Sequence, residues 1–169
     1  MLKFSEQLEI EFFKVFLNLN KLSGATYMSY TFDKANEIRF SFRSDSIWEA
    51  IYDKGEISGK PVMELCPLDK VSREIKNMFI VWDLYCHESQ PKMHREIMGM
   101  REDLGLRHGL TLSTHFGGHN DAIAVASEDR KNDLAIQILS NENGLLLKQS
   151  LLACRQLYFN SLLIPISMA

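Results

Sequence analysis

The sequence predicts an α+β domain, an α-β-α sandwich in which a central antiparallel sheet of about five strands carries helices on both faces. Three observations lead there. At 169 residues, with 46% apolar and 24% charged side chains, the chain has the length and composition of one soluble globular domain. Its apolar residues pass repeatedly between helical and strand spacing. No internal repeat, low-complexity tract or Pro/Gly/Ser-rich linker divides it. A domain of this size buries roughly 70% of the surface its unfolded chain exposes, so it folds without a disulfide or structural metal.

Leu8, Phe12, Val15 and Leu19, with Phe4 one turn upstream, place an apolar stripe on an opening helix that Gly24 ends. Thr26–Phe32 and Glu37–Arg43 are rich in β-branched and aromatic residues and form a hairpin around Asp33-Lys34-Ala35-Asn36. Ser44, Asp45 and Ser46 offer N-caps for a short helix bearing Ile47, Trp48, Ile51 and Tyr52. Gly55, Gly59 and Pro61 mark a loop, Asp69–Met78 a charged surface helix, and Phe79–Trp82 a buried strand. Pro91 opens a helix carried by Met93, Ile97, Met100, Arg101 and Leu104 and stopped at Gly105. His108–Phe116 and Asp121–Ser127 pair around Gly117-Gly118-His119-Asn120. From about Asn132 to Leu163 the pattern is mostly helical, although Leu134, Ile136 and Ile138 also alternate as in a strand. This order of elements is that of sensory domains built like PAS and GAF modules.

Composition removes several functions. The net charge is −3 and the cations are dispersed, so the chain by itself lacks the clustered Lys and Arg of a nucleic-acid binder. Lys3, Glu6, Glu9, Glu11 and Lys14 break the apolar N-terminus, which excludes a signal peptide, and no uncharged stretch is long enough to span a bilayer. The expected location is the cytoplasm, without membrane association. Cys66, Cys86 and Cys154 are scattered, an odd count with no CxxC pair, as suits free thiols in a reducing compartment. GxSxG, P-loop, GxGxxG and HExxH motifs are all missing, so neither an enzyme nor a cofactor is implied. His115 and His119 are separated by a Gly-Gly turn and need not converge on a metal. Cys86-His87 are adjacent, which makes their side chains diverge in most backbone conformations.

The aromatic residues carry more information. Trp48 and Tyr52 lie one helical turn apart and share a face, and Trp82 ends an apolar run. Each has a polar tip that needs a partner once buried. One reading makes them ordinary core; the other makes them the walls of a cavity of about 300 Å³ or more for a small amphipathic ligand.

The run Ser46-Ile47-Trp48-Glu49-Ala50-Ile51-Tyr52, a loop ending at Pro61, Phe79-Ile80-Val81-Trp82-Asp83 and Leu104-Gly105-Leu106-Arg107-His108-Gly109-Leu110-Thr111-Leu112 together resemble the N-terminal autoinducer-binding domain of LuxR-type transcription factors. The resemblance covers most of the chain. It implies an α-β-α sandwich with an N-acyl homoserine lactone between the sheet and a helical layer. Trp48 would donate its indole N–H to the lactone carbonyl, Tyr52 would bond the acyl amide carbonyl, and Trp82 would pack on the lactone ring. Gly105 and Gly109 would ease chain entry into the strand. Three positions depart from the family pattern. Lys60 stands where an aspartate usually precedes the proline, Ser44 near a usual tyrosine, and Val125 near a usual hydroxyl-bearing residue. An ammonium donates and cannot accept, so Lys60 either meets an anionic ligand or points to solvent. The family also continues into a helix-turn-helix domain, for which the residues after Ile164 are too few. The expectation is a single sensor domain over residues 1–169, excised or natural, acting as a homodimer or with a related regulator. The rival expectation is an interaction module with a filled core that dimerises with a full-length regulator.

Overall fold

The computed structural model describes residues 5–34, 39–75, 77–85, 90–128, 134–140 and 144–163. Helix α1 (Glu6–Ser23) leads into strands β1 (Tyr27–Lys34) and β2 (Phe40–Arg43), then helix α2 (Ser46–Lys54). A small hairpin of β3 (Glu56–Ile57) and β4 (Lys60–Pro61) precedes the short helices α3 (Val62–Leu65) and α4 (Pro67–Glu74). Strand β5 (Met78–Val81) runs into a 3-10 turn (Trp82–Tyr85). Helix α5 (Lys92–Asp103), the hairpin of β6 (Arg107–Phe116) and β7 (His119–Ser127), and helices α6 (Leu134–Ser140) and α7 (Leu145–Leu163) complete the described chain. Five strands form one antiparallel sheet in the order β2-β1-β7-β6-β5, as expected from the sequence.

Strand alternation gives the sheet two unlike faces. Met28, Tyr30, Phe32, Phe40, Phe42, Leu110, Leu112, Ile123 and Val125 build one core with Phe12 and Leu19 of α1 and with Leu147, Leu151 and Cys154 of α7. Their neighbours one residue along point the other way and are small or polar, among them Ser29, Thr31, Thr111, Ala122 and Ala124. That second face is covered by α2 to α5, whose Trp48, Tyr52, Val62, Leu68, Ile97 and Met98 pack with Tyr27, Ile80, Trp82 and Ala126. Leu147, Leu151 and Cys154 of α7 therefore face the core.

A buried polar cluster locks α7 onto the sheet. Arg155 donates to both carboxylate oxygens of Asp121 at 2.8 and 2.9 Å, and Tyr30 donates its hydroxyl to the same group at 3.1 Å. Thr114 also donates to Asp121. Asp121 is fully buried, so these donors replace the water it has lost.

Several local expectations need correction. The charged helix spans Pro67–Glu74 rather than Asp69–Met78, since Pro67 at its first turn has no N–H to leave unsatisfied. Trp82 lies in the 3-10 turn after β5, not in the strand. Leu134–Ser140 is helical: Leu134, Ala135 and Ile138 are buried while Ile136 is exposed, a one-sided helical pattern. In the β6-β7 hairpin Phe116 pairs with His119 and His115 with Asn120. The His115 ring meets the Arg73 carbonyl, the His119 ring stacks against Phe32, and no metal-binding cluster occurs among the described residues. Ala35, Asn36, Cys86 and His87 lie outside the described residues.

Candidate functional site

Trp48 and Tyr52 reach the interior because Asp45 caps α2, accepting the Trp48 backbone N–H at 2.7 Å, and starts the helix in the phase that turns both rings to the sheet. Their ring centres lie 5.3 Å apart. Trp82 arrives from the far edge of the sheet. Its indole N–H donates to Thr111 at 2.8 Å, and its ring meets Tyr27 edge-on at 6.4 Å. A bulge at Arg107–Leu110 shapes the strand beside it, where the His108 ring lies 3.1 Å from Asp83 in the same 3-10 turn as Trp82. Gly109 is needed for room: a Cβ there would lie 2.2 Å from the Trp82 indole. Its role is close approach to the ring, more than the chain entry expected from the sequence.

The three rings converge, but on an occupied space. The Arg101 side chain from α5 enters between them, with its guanidinium carbon 4.2 Å from the Trp82 ring centre, 5.0 Å from Trp48 and 5.6 Å from Tyr52. Arg101 is only 5% exposed. One of its terminal nitrogens faces the Cys66 sulfur at 3.7 Å, while Nε and Nη1 have no hydrogen-bond partner among the described residues. Trp48 Nε1 is likewise buried without a partner. What remains open beside Arg101 is about 40 Å³, far below the expected cavity of about 300 Å³.

The other charges near this space are neutralised. Arg43 is buried against Asp53 at 3.0 Å and covers the Tyr52 ring at 4.3 Å. Asp69, which lines the cavity, is held by Arg39 at 2.7 Å and Arg73 at 3.1 Å, and Asp33 completes that group. Tyr52 loses a proton far less readily than an exposed tyrosine, first because it is buried and then because Cys66 and Asp69 stand close by.

Of the six sequence-derived positions, Trp48, Tyr52 and Trp82 come together and the other three do not. Lys60 is exposed in the β3-β4 hairpin. Ser44 accepts the Met28 backbone N–H at 2.9 Å and extends the β1-β2 pairing. Val125 belongs to the α1-α7 side of the sheet, because alternation sends only its neighbours Ala124 and Ala126 toward the rings. The residue before a proline that borders the rings is Cys66, fully buried ahead of Pro67. Arg43, Asp53 and Arg101 are absent from the sequence-derived set. For Arg101 a signal existed, a cation inside the apolar stripe of its helix.

Larger openings lie elsewhere. A cleft of about 460 Å³ runs between β5, β6 and α7 past Phe79, Lys148 and Arg155, and a groove of about 480 Å³ separates α1 from α7. Both are on the far side of the sheet from the aromatic cluster.

The fold is that of the autoinducer-binding domain of LuxR-family regulators. Escherichia coli SdiA superposes with a TM-score of 0.62 at 16% identity over 98% of this chain and 66% of that one. SdiA in complex with octanoyl-rac-glycerol gives 0.62 at 14% identity, with 91% and 62% covered. CepR2 of Burkholderia cenocepacia, an N-acylhomoserine lactone dependent LuxR family factor, gives 0.55 at 12%, with 89% and 97% covered. The VqsR ligand-binding domain of Pseudomonas aeruginosa gives 0.54 at 13%, with 91% of each chain covered. The chain thus spans somewhat under two thirds of the length of the SdiA chains. No family model matches the sequence, and no curated protein is significantly similar to it. Among the described residues no helix is long and apolar enough to cross a membrane.

Proposed function

We propose that this chain is a LuxR-type small-molecule sensor domain, non-enzymatic and cytoplasmic, whose signal binds between the sheet and the α2-α5 layer. The observation that carries the reading is Trp48. Its indole N–H is fully buried with no partner among the described residues, in the middle of three converging rings. A buried donor left unpaired costs about 1–3 kcal/mol, which an acceptor oxygen on a ligand recovers. Trp48 donates to that oxygen, Tyr52 orients a second polar group, and Trp82, fixed by Thr111 and Gly109, packs on the head of the ligand. Occupancy becomes signal by linkage: a ligand bound only by the folded, association-competent state stabilises it by RT ln(1 + [L]/Kd), favouring a homodimer or a complex with a related regulator.

The second reading, an interaction module with a filled core, is favoured by the small residual cavity and by the guanidinium inside the aromatic cluster. One experiment separates the two. Thermal unfolding is followed with N-acyl homoserine lactones of graded chain length, for the parent and for Trp48→Phe. The sensor reading expects a saturable rise in Tm with at least one compound, lost in Trp48→Phe. Unchanged melting with every lactone and with the corresponding ring-opened acids leaves the interaction module.

A further inference from the structure

Resting on the sensor reading, we infer that the ligand is an amphipathic carboxylate, and that Arg101 is the residue that selects it. The argument begins with charge. Arg43 is matched by Asp53, and Arg39 and Arg73 by Asp33 and Asp69. Arg101 alone among the buried cations facing this space has no carboxylate within ion-pairing distance among the described residues, although it is 95% removed from solvent. A buried charge without a counter-ion costs several kcal/mol, and cation-π contact with the rings offsets it without satisfying the guanidinium's hydrogen bonds.

The geometry of the unsatisfied donors specifies the partner. Nε and Nη1 point to different sides of the planar guanidinium, and each shares a fork with Nη2, which meets only the weakly accepting Cys66 sulfur; a carboxylate that takes Nη2 together with Nε makes two parallel hydrogen bonds, as Asp121 does with Arg155. The open space beside Arg101 is about 40 Å³, enough for a small polar head and for nothing larger without repacking. Trp48, whose ring centre lies 5.0 Å from the Arg101 guanidinium carbon, carries one further unpaired donor, Nε1, in the same cluster. The open space itself is lined mainly by small and polar side chains, so an apolar remainder is housed by repacking of the layer around it. Met63, Met93, Met98 and Met100 all lie in this layer, and unbranched thioether side chains repack around a chain more readily than branched ones.

The test compares two molecules that differ only at the head. N-octanoyl homoserine lactone is neutral, and its ring-opened form, N-octanoyl homoserine, carries a carboxylate on the same acyl chain. Both are titrated at mildly acidic pH against the full chain by tryptophan fluorescence and thermal shift, with acetate and inorganic phosphate as separate arms. The expected result is that the ring-opened acid binds at least about tenfold more tightly than the lactone, and that Arg101→Gln removes this preference. Lactone binding that equals or exceeds acid binding overturns the carboxylate and leaves the sensor reading standing. An acid preference that survives in Arg101→Gln overturns the role of Arg101. Acetate or phosphate matching the acid overturns the amphipathic requirement, and no response to either acyl compound removes both readings. Should Arg101→Gln fail to fold, Arg101→Lys keeps the charge but not the fork, and it is expected to lose most of the preference.

Discussion

The guanidinium of Arg101 lies 4.2 Å from the centre of the Trp82 ring, so a cation from α5 meets the aromatic face of a residue from the 3-10 turn after β5. Cation-π contact is worth about 2 kcal/mol when desolvated, whereas an uncompensated buried charge costs several. With three rings in contact the two quantities are of the same order. In the ligand-free protein Arg101→Met is therefore expected to be neutral or to raise stability by up to about 2 kcal/mol, read from urea midpoints. A loss of comparable size would mean that the guanidinium is a structural filler, as the interaction-module reading requires.

Gly109 and Trp82 are coupled by space. Gly109→Ala drives a methyl onto the face of the indole, 2.2 Å from its ring atoms, and is expected to cost about 1–3 kcal/mol. It should also push Trp82 off Thr111, which a shift in tryptophan emission would report. An unchanged spectrum together with unchanged stability would show that β6 yields instead.

Asp121 is fully buried and holds Arg155, Tyr30 and Thr114. Asp121→Asn removes the charge while keeping much of the shape, and its expected cost is about 3 kcal/mol, since the Arg155 guanidinium is left without its partner. Because α7 is tied down through this group, hydrogen exchange should accelerate along Leu145–Leu163 more than along α2. Equal acceleration in both helices would count against it.

Stability should fall in alkali. Burial, reinforced by the Asp121 carboxylate, raises the ionisation range of Tyr30 and Cys154, and burial does the same for Tyr52. In the unfolded chain these groups lose protons near pH 10 for the tyrosines and 9 for the thiol. Below those values folded and unfolded chains bind the same protons at these sites and the full stability is present. As pH rises past them the unfolded state sheds protons the folded state keeps, so the unfolding free energy declines by roughly 1.4 kcal/mol per pH unit for each group involved. Urea midpoints between pH 8 and about pH 11 measure this directly. A flat profile would contradict the burial of these groups.

Much of the fold could be read from periodicity, because each strand has one strongly apolar face: Met28, Tyr30 and Phe32 alternate with Tyr27, Ser29 and Thr31. The pairing of Trp48 with Tyr52 followed from helical spacing alone. Position across the sheet was harder. Val125 and Ala124 differ by one residue and by an entire face, and composition does not distinguish the lined side from the packed one. Lys60-Pro61 and Cys66-Pro67 are both X-Pro pairs after the same helix, and only the packing of α4 shows which borders the rings. Arg101 was counted correctly as part of an apolar stripe, yet nothing local reveals that its charged end, instead of snorkelling outward, stops among aromatic rings.

The unlike faces of the sheet give the domain a kind of bulkhead. Under the sensor reading, Ser29, Thr31, Ala122 and Ala124 can be exchanged for other small residues to reshape the space on one side, while the aromatic and aliphatic packing beneath α1 and α7 goes on holding the structure together from the other. On that reading chemical selectivity and mechanical integrity fall to opposite surfaces of the same five strands, which would leave the recognition chemistry free to drift without putting the scaffold at risk.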